Sequence, residues 1–300
     1  MSRNLFIFGA GYSGLAVARA RSAGFDIAGT TRSEAKFEAL RAEGIAPHIF
    51  DGELTPEVVQ ALQQATHLLI SIAPGESGDP VLNAAGETIA HNMPNLGWIG
   101  YLSTVGVYGD HVGAWVDEAG ECRPVSQRSK LRLQAELAWQ EIGRQTGLPV
   151  AILRLSGIYG PGRNAFVNLA NGTAKRLVKP DQVFNRIHAE DIAGAVWHLA
   201  GLGRGGVFNV TDDLPSPPQD VVAYAAALMG VEPPPEIPFE TAELTPMARS
   251  FYGENKRVSN ASIKRAGYRF RYPDYRVALD AMWQAGNWRN GRARSPMKAG

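Results

Sequence analysis

The sequence predicts an α/β fold, a doubly wound parallel sheet carrying a smaller, mostly helical C-terminal lobe. Three observations predict it. Short apolar runs alternate with helical patterns through the first half of the chain. The runs are apolar at consecutive positions, as in strands of a parallel sheet covered on both faces. A glycine-rich turn joins the first run to the first helix.

The expected strands are residues 5–8, 26–30, 48–50, 67–72, 98–102 and 150–153. Helices are expected between them at 13–23, 34–42, 56–64 and 129–146. Two later runs, 183–187 and 207–210, read as further strands, with a helix between them that Asp191 can cap. From Asp212 the composition shifts. Pro215, Pro217 and Pro218 open a helix over 219–229, and short helices run on to 288. The domain division that follows is a nucleotide-binding domain of 1–160 plus 183–212 and a substrate lobe of 161–182 plus 213–288. Residues 289–300 are polar and basic and read as a disordered tail.

Composition narrows the function. With 30 Lys and Arg against 29 Asp and Glu, the formal net charge is +1. That balance argues against nucleic acid or an anionic membrane surface as the main partner. The single cysteine, Cys122, excludes an internal disulfide and fits a reducing compartment. The apolar start, residues 4–8, runs straight into glycines and is too short for a signal peptide. No run approaches the length of a membrane span. The six histidines are scattered, without metal-ligand spacing. A soluble, cytoplasmic, metal-free protein is expected.

Gly9-Ala10-Gly11-Tyr12-Ser13-Gly14 has the G-x-G-x-x-G spacing between the first strand and an amphipathic helix. In that context each glycine has a task. Gly9 permits the tight turn, Gly11 lets the backbone approach a pyrophosphate, and Gly14 lets helix and strand pack closely. The helix N-terminus supplies free N–H groups and partial positive charge for the phosphates. The fold is therefore expected to be of the Rossmann type, binding NAD(P), with Tyr12 and Ser13 in the cofactor contact. The end of the second strand selects between the two dinucleotides. An NAD site places a carboxylate there for the ribose 2′-hydroxyl. This chain has Thr31-Arg32-Ser33, a guanidinium between two hydroxyls, which suits a 2′-phosphate. NADP is the expected cofactor and NAD the lesser alternative. Asp51, after the third strand, and Ile72-Ala73, after the fourth, complete the expected cofactor contacts.

With these residues in hand, later segments resemble the extended short-chain dehydrogenase/reductase family, the nucleotide-sugar epimerases and dehydratases. The segment Tyr101-Leu102-Ser103-Thr104-Val105-Gly106-Val107-Tyr108-Gly109 resembles that family's fifth strand and following loop. Arg154 with Ile158-Tyr159-Gly160-Pro161, and Arg186-Ile187-His188-Ala189-Glu190-Asp191, resemble two later signatures. The resemblance covers most of 1–212 and is loose beyond it. It implies that Thr104, with Ser103 beside it, is the catalytic hydroxyl, and that Lys130 binds the nicotinamide ribose. The family's Tyr-x-x-x-Lys pair is broken, because Ser126 stands at the tyrosine position. A serine hydroxyl is too weak an acid to act as a proton shuttle near neutral pH. The asparagine expected in the Arg154 signature is replaced by Gly157.

This erosion resembles an atypical subgroup of the family, which implies Asp79 as a substrate-site residue. His111, just past the Tyr108-Gly109 loop, is the candidate acid–base replacement. Arg163, Lys175, Arg176, Lys179 and Arg186 surround the segment that holds a nucleotide diphosphate in the resembled family; Arg163 and Arg186 are the candidate substrate contacts. The function implied is an NADP-dependent oxidoreductase or epimerase/dehydratase acting on a small molecule, a nucleotide sugar or similar hydroxy/keto compound. The alternative is a non-catalytic NADP-binding redox sensor or regulatory protein. The resemblance also implies a homodimer face on the helix over 129–146.

Overall fold

Consecutive apolar residues can be buried only if both faces of a sheet are covered, and the central strands meet that requirement. A computed structural model describes residues 3–289 of the chain. In chain order, β1 (Arg3–Phe8), α1 (Tyr12–Arg19), β2 (Phe25–Thr31), α2 (Phe37–Ala42), β3 (Ile45–Ile49), α3 (Pro56–Gln64), β4 (His67–Ile70), α4 (Pro80–His91) and β5 (Trp98–Thr104) alternate without exception. After β6 (Trp115–Val116) come α5 (Gln127–Thr146), β7 (Val150–Leu155), β8 (Gly157–Tyr159), α6 (Ala165–Ala170) and β9 (Arg176–Val178). Then follow β10 (Arg186–His188), α7 (Ala189–Gly201), β11 (Gly206–Val210), α8 (Pro218–Met229) and β12 (Glu236–Pro238). The last elements are α9 (Pro246–Phe251), β13 (Arg257–Val258), α10 (Ala261–Arg265) and α11 (Tyr275–Ala285).

Seven strands form one sheet in the order β11-β7-β5-β4-β1-β2-β3, every pair parallel. This is the expected doubly wound architecture. Along β1 the side chains alternate between two cores. Leu5 and Ile7 join Val17, Ile192 and Val196 on one face, while Phe6 and Phe8 join Val58, Leu62, Ile89 and Trp139 on the other. The chain leaves β1 toward β2 and β3, then returns to build β4 on β1's other side. That reversal opens a crevice at the carboxyl ends of β1 and β4, where open α/β sheets bind ligands.

The second half adds three two-stranded parallel pairs, β8 with β10, β9 with β12 and β6 with β13. A separate apolar cluster of Phe166, Ala225, Tyr275, Leu279 and Met282 joins α6, α8 and α11. Among the described residues no helix is long and apolar enough to cross a membrane, and no cluster of His, Cys, Asp or Glu could hold a metal.

Several expected elements are displaced. β3 lies earlier than 48–50 because Ile45 is the buried partner opposite Ile27 in the ladder. The run 183–187 is not a sheet strand. The Val183 N–H is taken by the Asn255 side chain, Phe184 makes an isolated antiparallel bridge with Ser216, and Arg186–His188 pairs with β8. α4 has no counterpart among the expected helices. Asp191 does not cap α7. His188 holds the cap position, its Nδ1 accepting from Glu190 N at 3.3 Å. Asp191, fully buried in the first turn, instead accepts from Arg271 N, Tyr272 N and Tyr268 Oη at 2.7, 2.9 and 2.8 Å. The tail expectation for 289–300 lies, apart from Arg289, outside the described residues.

Candidate active site

The glycine turn is built almost entirely from backbone. Gly9 has φ +90°, a conformation that side chains disfavour. A Cβ on Gly9 would stand 2.9 Å from Ile72 Cγ1, and one on Gly14 would stand 2.8 Å from the Gly9 carbonyl oxygen. At Gly11 a Cβ would meet nothing within 4 Å. Two glycines are thus required by the protein itself, while the third faces open space. α1 starts at Gly11 with no side-chain cap and no acidic residue in its first turn, so its N–H groups and dipole are available to an anion. Ser13 is buried in that turn. A phosphate-bearing dinucleotide fits this cradle.

The turn is fastened to the end of β2. Gly9 N donates to Thr30 Oγ1 at 2.9 Å and Ala10 N to the Thr30 carbonyl at 2.8 Å. Beyond that anchor come Thr31, Arg32 and Ser33; Arg32 is exposed and its guanidinium has no ion pair among the described residues. Asp51, also exposed, follows Phe50, whose N–H is bound by the Thr31 carbonyl. Ile72, half-buried against Gly9, and Ala73, exposed, lie on the β4 side of the crevice. Gly9, Ala10, Thr30 and Ile72 thus meet at the carboxyl ends of β1, β2 and β4.

Two strands further along the sheet, β5 ends in Ser103 and Thr104, which differ in use. Buried Ser103 donates to Glu136 Oε1. Glu136 also receives Arg154 Nη2 at 2.8 Å and Nε at 3.1 Å, and the Arg154 guanidinium lies 4.8 Å from the centre of the Tyr108 ring. This buried network ties β5, α5 and β7 together and takes up the Ser103 hydroxyl proton. Thr104 Oγ1 accepts from Gly106 N at 3.1 Å, which leaves its hydroxyl proton free to donate. Ser126, which by resemblance was expected at a tyrosine position, is the N-cap of α5. Its Oγ accepts from Ser129 N at 3.1 Å and donates to Ser129 Oγ at 2.9 Å. Ser129 Oγ and Thr104 Oγ1 both lie against Gly106, 3.0 and 3.3 Å from where its Cβ would be. Lys130 is exposed on the next position of α5. Thr104 and the head of α5 are thus brought together, with serine hydroxyls where a phenol was expected by resemblance.

Two other expected residues make hydrogen bonds within the fold. His111 Nε2 donates to the carbonyls of Tyr108 and Glu121, at 3.1 and 3.2 Å, which ties one edge of the ring to its own loop. Asp79 is not a free substrate contact. Its Oδ1 caps α4 by accepting from Val81 N and Leu82 N at 2.9 and 3.1 Å, and its Oδ2 accepts from Trp139 Nε1 at 3.1 Å.

The expected cationic set separates on inspection. Lys175, Arg176 and Lys179 are spent within the second half, on the Glu243 carbonyl, on Glu236 and on the Tyr252 carbonyl. Arg186 donates Nη1 to Ser216 Oγ at 2.7 Å and to two carbonyls. Arg163 is exposed, with its guanidinium 6.0 Å from the centre of the Tyr12 ring.

Sequence reasoning missed the buried polar atoms around Arg186. Tyr159 Oη, His188 Nε2 and Asp212 Oδ2 are buried without hydrogen-bond partners. Burial pushes Asp212 up to about 8 despite the opposing charge of Arg186. Burial also pushes His188 down to about 4, with Arg271 adding to the effect. Asp212 has no motif of its own; only its place two residues after β11, the last strand of the seven-stranded sheet in chain order, could have signalled it.

A model of the NAD dependent epimerase/dehydratase family matches residues 5–211. The chain belongs to that family. It is 29% identical to Protein YeeZ of Escherichia coli (strain K12), over 91% of this chain and 97% of that protein. A solved structure described as a functionally unknown conserved protein from Silicibacter pomeroyi DSS is 48% identical, covering 95% of this chain and 99% of the other, with a TM-score of 0.88. UDP-glucuronic acid 4-epimerase from Bacillus cereus, solved in complex with NAD, shares the fold at 14% identity, covering 94% and 96% of the two chains with a TM-score of 0.75. The family and the cradle agree on NAD(P) as the cofactor.

Proposed function

We propose that the chain is an NADP-dependent oxidoreductase or epimerase acting on a nucleotide sugar or a similar hydroxy/keto compound. The observation that carries this reading is the glycine cradle and the free Thr104 hydroxyl at the same carboxyl edge of one sheet. On this reading residues 1–160 plus 183–212 form the cofactor domain and 161–182 plus 213–288 the substrate lobe. Gly9, Gly11 and Gly14 seat the dinucleotide, with Arg32, Thr31 and Ser33 on the 2′-phosphate and Lys130 on the nicotinamide ribose. NADP, when bound, supplies hydride exchange at the nicotinamide ring. Thr104 donates a hydrogen bond from its hydroxyl to the substrate oxygen and so orients the reacting carbon. Self-association through α5, where Leu137 is exposed, accompanies the same reading.

Ser126 favours a second reading, binding without turnover, because a helix-capping serine replaces the phenol that would move the proton. The two readings separate in one experiment. Protein is mixed with NADP⁺ or NADPH and a metabolite extract or a panel of nucleotide sugars. Nicotinamide absorbance and product chromatography are then followed. Turnover that falls at least about a hundredfold in Thr104→Ala and Lys130→Ala supports the enzyme. Turnover unchanged in both variants rejects these roles, and tight NADPH binding with no product supports the sensor.

A further inference from the structure

We propose that Arg163 is a ligand of the cofactor's pyrophosphate, carried to it from the second half of the chain by the turn Gly160–Arg163. The inference rests on the NAD(P)-binding reading and moves Arg163 from the substrate to the cofactor. Three observations converge on it.

First, the turn reaches the glycine loop as closely as a backbone can. Tyr12 Oη donates to the Pro161 carbonyl at 3.1 Å. A Cβ at Gly160 would stand 2.8 Å from Tyr12 Oη and 3.3 Å from His188 Nε2, so only glycine fits between them. His188 is fully buried and closes the turn's inner side.

Second, the turn is rigid. Gly160 N donates to the Arg163 carbonyl at 3.0 Å and Arg163 N to the Gly160 carbonyl at 2.9 Å. Asn164 Nδ2 binds the carbonyls of Gly160 and Trp288 at 2.8 and 2.7 Å, and Gly162 N binds Trp288 O at 2.8 Å. The Arg163 backbone is therefore fixed, and only its side chain is free.

Third, the charge is uncommitted. Lys175, Arg176, Lys179 and Arg186 are each held inside the second half, whereas the Arg163 guanidinium is exposed, with no hydrogen bond or ion pair among the described residues. Its neighbour is the Tyr12 ring of the glycine loop. A guanidinium fork matches phosphate oxygens, and an uncapped helix N-terminus alone does not neutralise a doubly charged pyrophosphate. Cofactor binding would then latch the second half onto the first, with Tyr12 and Arg163 as the two sides of the clasp.

The test is the dissociation constant of both NADPH and NADH, read by titration calorimetry, for the full chain and for the variants Arg163→Ala, Arg163→Lys, Arg32→Ala and Gly11→Val. Far-ultraviolet circular dichroism confirms that each variant is folded. The pyrophosphate is common to both dinucleotides, so Arg163→Ala should weaken both by the same factor, about tenfold to a hundredfold, with partial recovery in Arg163→Lys. Arg32→Ala, by contrast, should weaken NADPH alone. Wild-type affinity in Arg163→Ala for both dinucleotides, or a loss confined to NADPH, overturns the proposal while leaving the cofactor reading intact. Gly11→Val binding as well as wild type, or no binding by the wild type, overturns the cofactor reading itself.

Discussion

The two sides of the crevice are made of different material. The cofactor side is backbone: three glycines, a helix N-terminus and one threonine anchor. The far side is buried side chains, with Ser103, Glu136 and Arg154 in one hydrogen-bonded network, and with Tyr159 Oη and Asp212 Oδ2 buried without partners near the charge of Arg186. Backbone does not titrate and can be blocked only by adding atoms. Buried side chains titrate and can be exchanged one at a time.

Three substitutions on the far side sharpen or break this contrast. The largest effect is expected from Glu136→Ala. It strands the Arg154 guanidinium, whose side chain is only 6% exposed, and should cost about 3–5 kcal/mol of stability in denaturant unfolding. A loss below about 1 kcal/mol would mean that solvent reaches the network and that it is no core feature.

Asp212→Asn comes next and acts through pH. Asp212 titrates near 8 in the folded chain and in the ordinary carboxylate range when unfolded. Between those values the unfolded chain has released a proton that the folded chain keeps, so this group lowers stability as pH rises. The substituted amide would keep an acceptor oxygen for Leu214 N and remove the titration. The melting temperature of the variant should therefore gain on wild type progressively from about pH 4 to about pH 8. A constant offset across that range would show that Asp212 is ionised throughout.

The smallest effect is expected from Ser126→Ala, which removes the α5 cap at a cost of about 1 kcal/mol and leaves dinucleotide affinity unchanged. A marked loss of NADPH affinity there would place Ser126 on the cofactor and blur the division between the two sides.

Legibility in the sequence follows the same line. The glycine turn is a local signal, complete within six residues, and the structure places its parts around the crevice as the spacing implies. α3 matches its expected span because Thr55 caps it and Pro56 opens it, both local facts. β3 and the run 183–187 went astray because a distant ladder partner and a distant asparagine decide where pairing occurs. Glu136 was invisible for a similar reason, as its partners lie 33 and 18 residues away and nothing in its own helix marks it. His111 and Asp79 had the right residue type near the right strand ends. What sequence could not supply was whether their polar atoms were already occupied.

The bonds of Asp191 bear on how the chain can be divided. Three donors from the segment 268–272 converge on this buried carboxylate at the head of α7, the helix packed beside α1. The proline-rich stretch after Asp212 is therefore not a seam between a self-sufficient sheet and a dispensable appendage. A chain cut there would leave a carboxylate with empty acceptor sites in the sheet's own covering layer, so the sheet borrows its completion from residues 268–272, beyond the proline-rich stretch.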